Sequence, residues 1–279
     1  MVWEKRIRKT LYTLDIDNYQ PAIKALTFPL MQAYAQKIGA DFFPITERKF
    51  PGWPIVYEKL QIYQLGRGSE GLPAPDWNIF FDADALISPE MFDITCHLDK
   101  STVCFAAKDM AGIRWKYDQY FRRDARHIGT CGWFACASDW CLDLWHPLED
   151  MTLQEALGNI APTMFERKCG MFGEEHFVDD YTLSRNIARY GLRHTTAIDV
   201  CGNLGIRGPQ GQPANPFFFH LYGISEEEKL NRMLNHLSRP RLVDGKPVPL
   251  SKGWCIMSAD EVRDFRKKWG LRAAEPDPC

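Results

Sequence analysis

Apolar positions along the chain alternate between two patterns. Between Arg8 and Ile16 the run around Leu11, Tyr12 and Leu14 predicts a strand, which the turn at Asp17-Asn18 ends. From Ala22 to Ile38 apolar residues recur at helical spacing (Ile23, Leu26, Leu30, Ala33, Tyr34), and Gly39 supplies the stop. Asp41 to Ile45 reads as a second short strand, and Pro51-Gly52-Trp53-Pro54 as a loop. Ile55 to Leu65 predicts a helix that ends at Gly66. The glycines and prolines from Gly66 to Pro75 predict a loop before the strand Trp77 to Phe81.

The second half is less regular. Thr102 to Ala107 and Gly132 to Ala137 predict strands, and Asp139 to Leu144 a helix. Asp179 to Tyr190 is a helix closed by Gly191. Residues 202 to 216 are rich in Gly, Pro and Asn and read as a loop before a strand at Phe217 to Leu221. Helices follow at Ser225 to His236 and Ser258 to Lys268. Strand and helix alternate in the first half, which implies an α/β fold: a mostly parallel sheet with helices on its faces. No linker, repeat or low-complexity stretch splits the chain, so a single domain over 1–279 is expected.

Composition narrows the class without naming a partner. With 279 residues, 45% hydrophobic and 25% charged, the chain has enough apolar content for a sizeable core. A net charge of -2 gives no global pull toward nucleic acid or membrane. Met1 to Arg6 runs into a mixed segment without a long apolar stretch. No run approaches the ~20 residues of a spanning helix, so a cytoplasmic location is the expectation. The nine cysteines are scattered and include no CxxC pair, as reduced core thiols in a cytosolic protein would be.

The chemistry concentrates in one stretch. Asn78-Ile79-Phe80-Phe81 leads into Asp82-Ala83-Asp84, and apolar residues resume at Ala85-Leu86-Ile87. Ligands of open α/β sheets bind at the carboxyl ends of strands, which is where these aspartates fall. Residues i and i+2 of a strand point the same way, and two like charges resist joint ionisation. A hard divalent ion, Mn²⁺ or Mg²⁺, resolves the conflict, and Mg²⁺ shares substrate phosphates. The bland alternative is that one aspartate caps a turn and the other is solvated.

Four short blocks carry a resemblance: FFDADALI (80–87), GTCGWFACASDWCLDLW (129–145), EEHFVDDYTL (174–183) and HLYG (220–223). In this order they resemble the retaining GT-A-type glycosyltransferases. The galactosyl- and xylosyltransferases of yeast mannan and plant xyloglucan synthesis are the nearer group, and the glycogenin-like group the more distant. The resemblance spans residues 8 to 223. It implies a GT-A, Rossmann-like fold, with a nucleotide-binding half at 1–107 and an acceptor-side half at 108–241; residues 242–279 lie outside the resemblance, and Trp254, Val262, Phe265 and Trp269 suggest a helical extension that packs back onto the domain. The resemblance also implies Asp82, Asp84 and His220 as metal ligands, with Asp179 and Asp180 near the donor sugar as catalytic candidates. Thr13, Leu14, Asp15, Asn18 and Tyr19 match the position of the base and ribose, Lys59 that of a helix facing the diphosphate, and Ala83 lies within the metal block. The implied reaction moves a sugar, with retention, from a nucleotide-linked donor (UDP-linked by resemblance) to a glycan.

Two departures stand beside it. The glycogenin-like group follows His-x-x-Gly with a Lys-Pro pair, whereas here Ile224-Ser225-Glu226-Glu227-Glu228-Lys229 follows, so that lysine is missing or displaced. The usual Asn-Thr-Gly reads Thr130-Cys131-Gly132. Each candidate also has a structural reading. His220 follows three phenylalanines and suits a hydrogen-bonded core. Asp179 or Asp180 suits an N-cap, and adjacent helix positions diverge, so one of the two is expected to face substrate. Lys59 suits a surface lysine, and Tyr19 plain packing. The segment 113–127, with Trp115, Tyr117, Tyr120 and Phe121 among arginines, suits a solvated face, a sugar acceptor or a nucleic-acid acceptor. A dehalogenase-type Mg²⁺ phosphatase also places Asp-x-Asp after a strand, with Asp82 as nucleophile. Its motif lies near a chain start, whereas here a strand-helix-strand-helix unit comes first. A DNA-base-modifying glycosyltransferase and an inactive nucleotide-sugar binder complete the alternatives.

Overall fold

The computed structural model describes residues 7–68, 73–107, 114–115, 120, 130–161, 174–238, 242–243, 246–247 and 254–271. Nearly all of the aromatic and basic segment 113–127, and with it the acceptor reading placed there, lies outside these residues.

The first strand, β1 (Lys9–Leu14), leads through α1 (Pro21–Ile38) to β2 (Ala40–Ile45), which lies parallel beside it. Pro21 opens α1, where a missing N–H has no helical partner to lose. Gly39 closes it at φ 68, with its N–H on the carbonyls of Ala35 and Gln36. On the other side of β1 lies β3 (Trp77–Phe81), also parallel. All five residues of β3 are buried, as a central strand covered on both faces requires. After the short β4 (Leu86–Ile87) come β5 (Thr102–Phe105), β6 (Phe134–Ser138) and β7 (Arg193–Thr196).

The central sheet has six strands in the order β2-β1-β3-β6-β5-β7. Only β6 runs against the rest: it pairs antiparallel with β3 and β5, while the other three pairings are parallel. The start of β6 therefore lies beside the carboxyl ends of β3 and β5. Ala106 N–H donates to Phe134 O, and Cys131 N–H to Ala107 O. Both faces of the sheet are packed. Tyr12, Phe80 and Ala135 point to one side, among Leu60, Trp145 and Tyr181. Leu11, Ile79 and Phe81 point to the other, against Tyr34 of α1 and Met91.

Five elements differ from expectation. Ile55–Gln61 is a 3-10 turn that only then becomes α2 (Ile62–Leu65). It is held against the preceding loop by Glu58, whose buried carboxylate accepts the N–H groups of Lys49 and Phe50. Asp139–Trp145 is likewise a 3-10 stretch. The pattern does not foresee α3 (Leu153–Gly158), β7 or α5 (Ala197–Asn203). β7 reads Arg-His-Thr-Thr, a polar edge strand with no apolar run to betray it.

The remaining helices are α4 (Val178–Tyr190), α6 (Glu226–Ser238) and α7 (Ala259–Lys268). Trp254 is buried between α6 and the strand region. Its backbone N–H meets His236 O and its indole N–H meets Pro216 O. Val262, Phe265 and Trp269 pack on the same cluster, so this C-terminal part docks as its apolar residues suggest. Two-residue ladders, Arg114–Trp115 with Ile160–Ala161 and Leu242–Val243 with Lys246–Pro247, lie apart from the main sheet. Among the described residues no helix is long and apolar enough to cross a membrane. Seven cysteines fall among them, all free, and four are buried.

Candidate active site

Beyond Phe81 the chain leaves the sheet, and Asp82, Ala83 and Asp84 form a turn rather than more strand. The alternation of a strand is therefore not what brings the two carboxylates together. The turn is pinned at three points. Asp82 N–H donates to Trp133 O at 2.8 Å, Ala85 N–H to Asp82 O at 3.0 Å, and Thr27 Oγ1 of α1 to Ala83 O at 2.6 Å. Next to it β4 pairs antiparallel with β8 (Phe218–Phe219), matching Phe219 to Leu86. That register carries His220 to Asp84, although 136 residues separate them: Nε2 lies 3.2 Å from Asp84 Oδ1. The imidazole plane is fixed by stacking on the Trp133 indole, with centroids 4.9 Å apart and planes 16° apart.

Asp82, Asp84 and His220 each offer one ligand atom, and these atoms lie within 4.8 Å of one another. Two carboxylate oxygens and one imidazole nitrogen fit Mn²⁺, and fit Mg²⁺ less well because of the nitrogen. The donor set therefore suits the implied ion.

Each carboxylate also holds a lysine. Lys59, 1% exposed, places its ammonium 3.0 Å from Asp82 Oδ1, 2.6 Å from Asp179 Oδ2 and 3.1 Å from Gly132 O. It also lies 4.6 Å from the centroid of the Phe80 ring. This excludes the surface-lysine reading: the 3-10 turn aims Lys59 inward. The second is Lys229 of α6, whose ammonium meets Asp84 Oδ2. These neighbours split the pair electrostatically. Burial raises the Asp82 carboxyl above its ordinary range, and Lys59 offsets this only in part. Burial acts on Asp84 too, but His220 and Lys229 outweigh it and hold that carboxyl well below the usual range.

Asp179 and Asp180 open α4, yet neither caps it. Phe177 occupies the cap position without a side-chain bond, and both aspartates turn inward. Asp180 Oδ1 accepts Gly132 N–H at 2.6 Å, and Asp179 Oδ2 holds Lys59. Asp179 Oδ1 is buried and has no hydrogen-bond partner among the described residues. Burial, then the charge of Asp179, raises the Asp180 carboxyl far above its ordinary value against the pull of Lys59 and Gly132 N–H. Gly132 permits this approach: a Cβ there would sit 2.7 Å from Asp180 Oδ1 and 2.8 Å from Leu183 Cδ1. Both aspartates, not one, line a cavity with Asp82, Gly132, Trp133 and His220, and Tyr222, 62% exposed, stands at its edge.

The residues at the end of β1 have separate fates. Thr13 is fully buried, Leu14 half-buried, and Asp15 is paired with Lys24 of α1. Asp17, Asn18 and Gln20 all take left-handed φ values of 54°, 50° and 45°, uncommon without glycine, which marks this turn as strained. Tyr19 is 49% exposed, and burial, then the charges of Asp84, Glu226 and Asp82, raises its phenol. Thr13, Leu14, Asp15, Asn18 and Tyr19 do not line the cavity named above.

The sequence pattern did not single out Lys229, Gly132, Trp133 and Thr27. Lys229 had a signal. It shares a helical stripe with Leu230, Met233, Leu234 and Leu237, all buried, and a lysine there needs a carboxylate.

No family model matches the chain, and no curated protein matches it. Three solved structures are similar to it at low identity. The first is a glycosyltransferase involved in glycosylation of the major capsid of PBCV-1: 15% identity over 79% of this chain and 96% of that one, TM-score 0.42. The second is a mutant of Drosophila β-1,4-galactosyltransferase 7 in complex with manganese, UDP-Gal and xylobiose: 12% identity, 77% and 71% covered, TM-score 0.38. The third is the galactosyltransferase LgtC in complex with donor and acceptor sugar analogs: 10% identity, 67% and 73% covered, TM-score 0.36. These neighbours of the chain are all glycosyltransferases.

Proposed function

We propose that the protein is a metal-dependent glycosyltransferase that takes a sugar from a nucleotide-linked donor, UDP-linked in the first instance, and passes it with retention to a glycan. One observation carries the reading. Asp82, Asp84 and His220, drawn from two distant segments, converge at the carboxyl end of the central strand β3 beside a cavity floored by two further carboxylates. Mn²⁺ held there would neutralise charge gathering on a leaving diphosphate. Trp133 keeps the His220 ring in plane, and Lys59 keeps Asp82 and Asp179 in place. The unpartnered Asp179 Oδ1 is an acceptor for a donor-sugar hydroxyl. Tyr19 and Asn18, on the strained turn, offer the base a flat face and a polar edge. In the transfer, the bond from the anomeric carbon to the diphosphate oxygen breaks with its electron pair on oxygen. The acceptor oxygen then bonds to that carbon, and its proton leaves with the diphosphate.

The phosphatase reading needs Asp84 to carry a proton as general acid. Its carboxyl is held well below the usual range, with both oxygens engaged, which disfavours that role.

Thermal unfolding with UDP, GDP or CDP, each with and without Mn²⁺, tests the proposal. A ligand at ~100 times its dissociation constant adds about 2.7 kcal/mol. One nucleotide should raise Tm only in the presence of Mn²⁺, and Asp84→Ala should abolish that rise while unfolding stays cooperative. If no nucleotide shifts Tm with or without the metal, the proposal fails.

A further inference from the structure

The two lysines of the site are not equivalent. Lys59 is held by Asp82, Asp179, Gly132 O and the Phe80 ring, so it keeps three partners if Asp82 turns to an ion. Lys229 reaches the site from another element, and its side chain is 7% exposed. Its ammonium meets Asp84 Oδ2, while His220 meets Oδ1, so both oxygens of this carboxylate are engaged. A divalent ion arriving at Asp82, Asp84 and His220 thus finds an ammonium already on one of its ligands. Two cations on one part-buried carboxylate repel each other more strongly than they would in water. The lysine stem is flexible and can yield. The neighbouring backbone does not yield easily: α6 is fastened through Leu230, Met233, Leu234 and Leu237 to a cluster that includes α1.

We propose that Lys229 is a tethered counter-cation that competes with the divalent ion for Asp84, so that metal loading releases the Lys229 side chain from the site. The proposal rests on the metal-site reading above and adds a regulatory contact to it. It predicts that the metal affinity of this protein is set partly from α6, outside the ligand triad.

The test uses the full chain and Mn²⁺ alone, with free ion read by electron paramagnetic resonance. Lys229→Met should bind Mn²⁺ roughly tenfold more tightly than wild type, the order of effect expected when one positive charge is removed from beside a divalent ion. Lys229→Arg, which keeps the charge, should stay near wild type. A second readout needs no variant. Amine-reactive labelling of the wild-type protein, located by mass spectrometry, should leave both Lys59 and Lys229 unmodified without metal. With saturating Mn²⁺, Lys229 alone should become labelled. Equal or weaker Mn²⁺ binding by a natively folded Lys229→Met, or protection of Lys229 that Mn²⁺ does not change, overturns the proposal and leaves the metal site standing. Wild-type protein that binds no Mn²⁺ overturns the metal site itself.

Discussion

Lys59 is the side chain that joins the two halves of the site. It pairs with Asp82 beside Asp84 and with Asp179 on the cavity floor from a position 1% exposed. Removing one partner of a buried ion pair leaves the others uncompensated. Lys59→Met should therefore cost about 3–5 kcal/mol of unfolding free energy, measured by urea denaturation, although it is close in volume. A loss below about 1 kcal/mol would mean that Asp82 and Asp179 are satisfied by something else. Asp180 gives a pH-dependent counterpart. Its carboxyl is raised in the folded protein by burial and by Asp179, with Asp82 adding and Lys59 opposing. The folded state then holds a proton that the unfolded chain releases near pH 4, so stability should fall as pH rises from there toward the folded value. Asp180→Asn keeps an oxygen for Gly132 N–H and removes the titration. Its stability should therefore decline less than that of wild type across this range. Parallel curves for the two proteins would remove Asp180 as the cause. At this scale the sequence was half legible. The Asp-x-Asp stood out because carboxylates after an apolar run are conspicuous, and the histidine through the resemblance of HLYG (220–223). Lys59 was a candidate through the resemblance alone, and its burial did not show because it lies on a 3-10 turn that follows no α-helical stripe, whereas Lys229 was not singled out.

Among the elements, the pairing of β4 with β8 sets the geometry of the site, since it delivers His220 to Asp84. Each strand is two residues long, too short to hold itself in place. Trp254 braces the region from behind. It is 1% exposed, and its indole N–H holds Pro216 O at the approach to β8. Trp254→Ala should destabilise the protein by about 3–5 kcal/mol. It should also weaken Mn²⁺ binding, because His220 loses its register, and calorimetry and metal titration read the two effects separately. Destabilisation without loss of metal affinity would show that β4 holds β8 unaided. The elements legible in the sequence were those with a clear apolar period and a turn or cap at the end: β1, α1, α4, α6, α7 and above all β3, whose bounds match the expected run. The 3-10 stretches and the polar edge strand β7 were not, since tertiary hydrogen bonds and pairing partners shape them rather than local periodicity.

For the whole molecule, a net charge of -2 conceals a site where four carboxylates and two lysines gather within one region. Stabilisation by a nucleotide of about 2.7 kcal/mol would appear as a rise in Tm of about 5 °C for a chain of this size, well within reach of a simple scan. The single reversed strand of the sheet has a further consequence. Because β6 starts where β5 and β3 end, the segment between Ala107 and Thr130 leaves and re-enters the described fold on the same edge, beside the aspartates. Added or deleted residues in this connection would leave the registers of the six-stranded sheet as they are, because its two ends stay side by side. Selection can therefore change the length of one connection at little cost to the sheet that leads into Asp82 and Asp84.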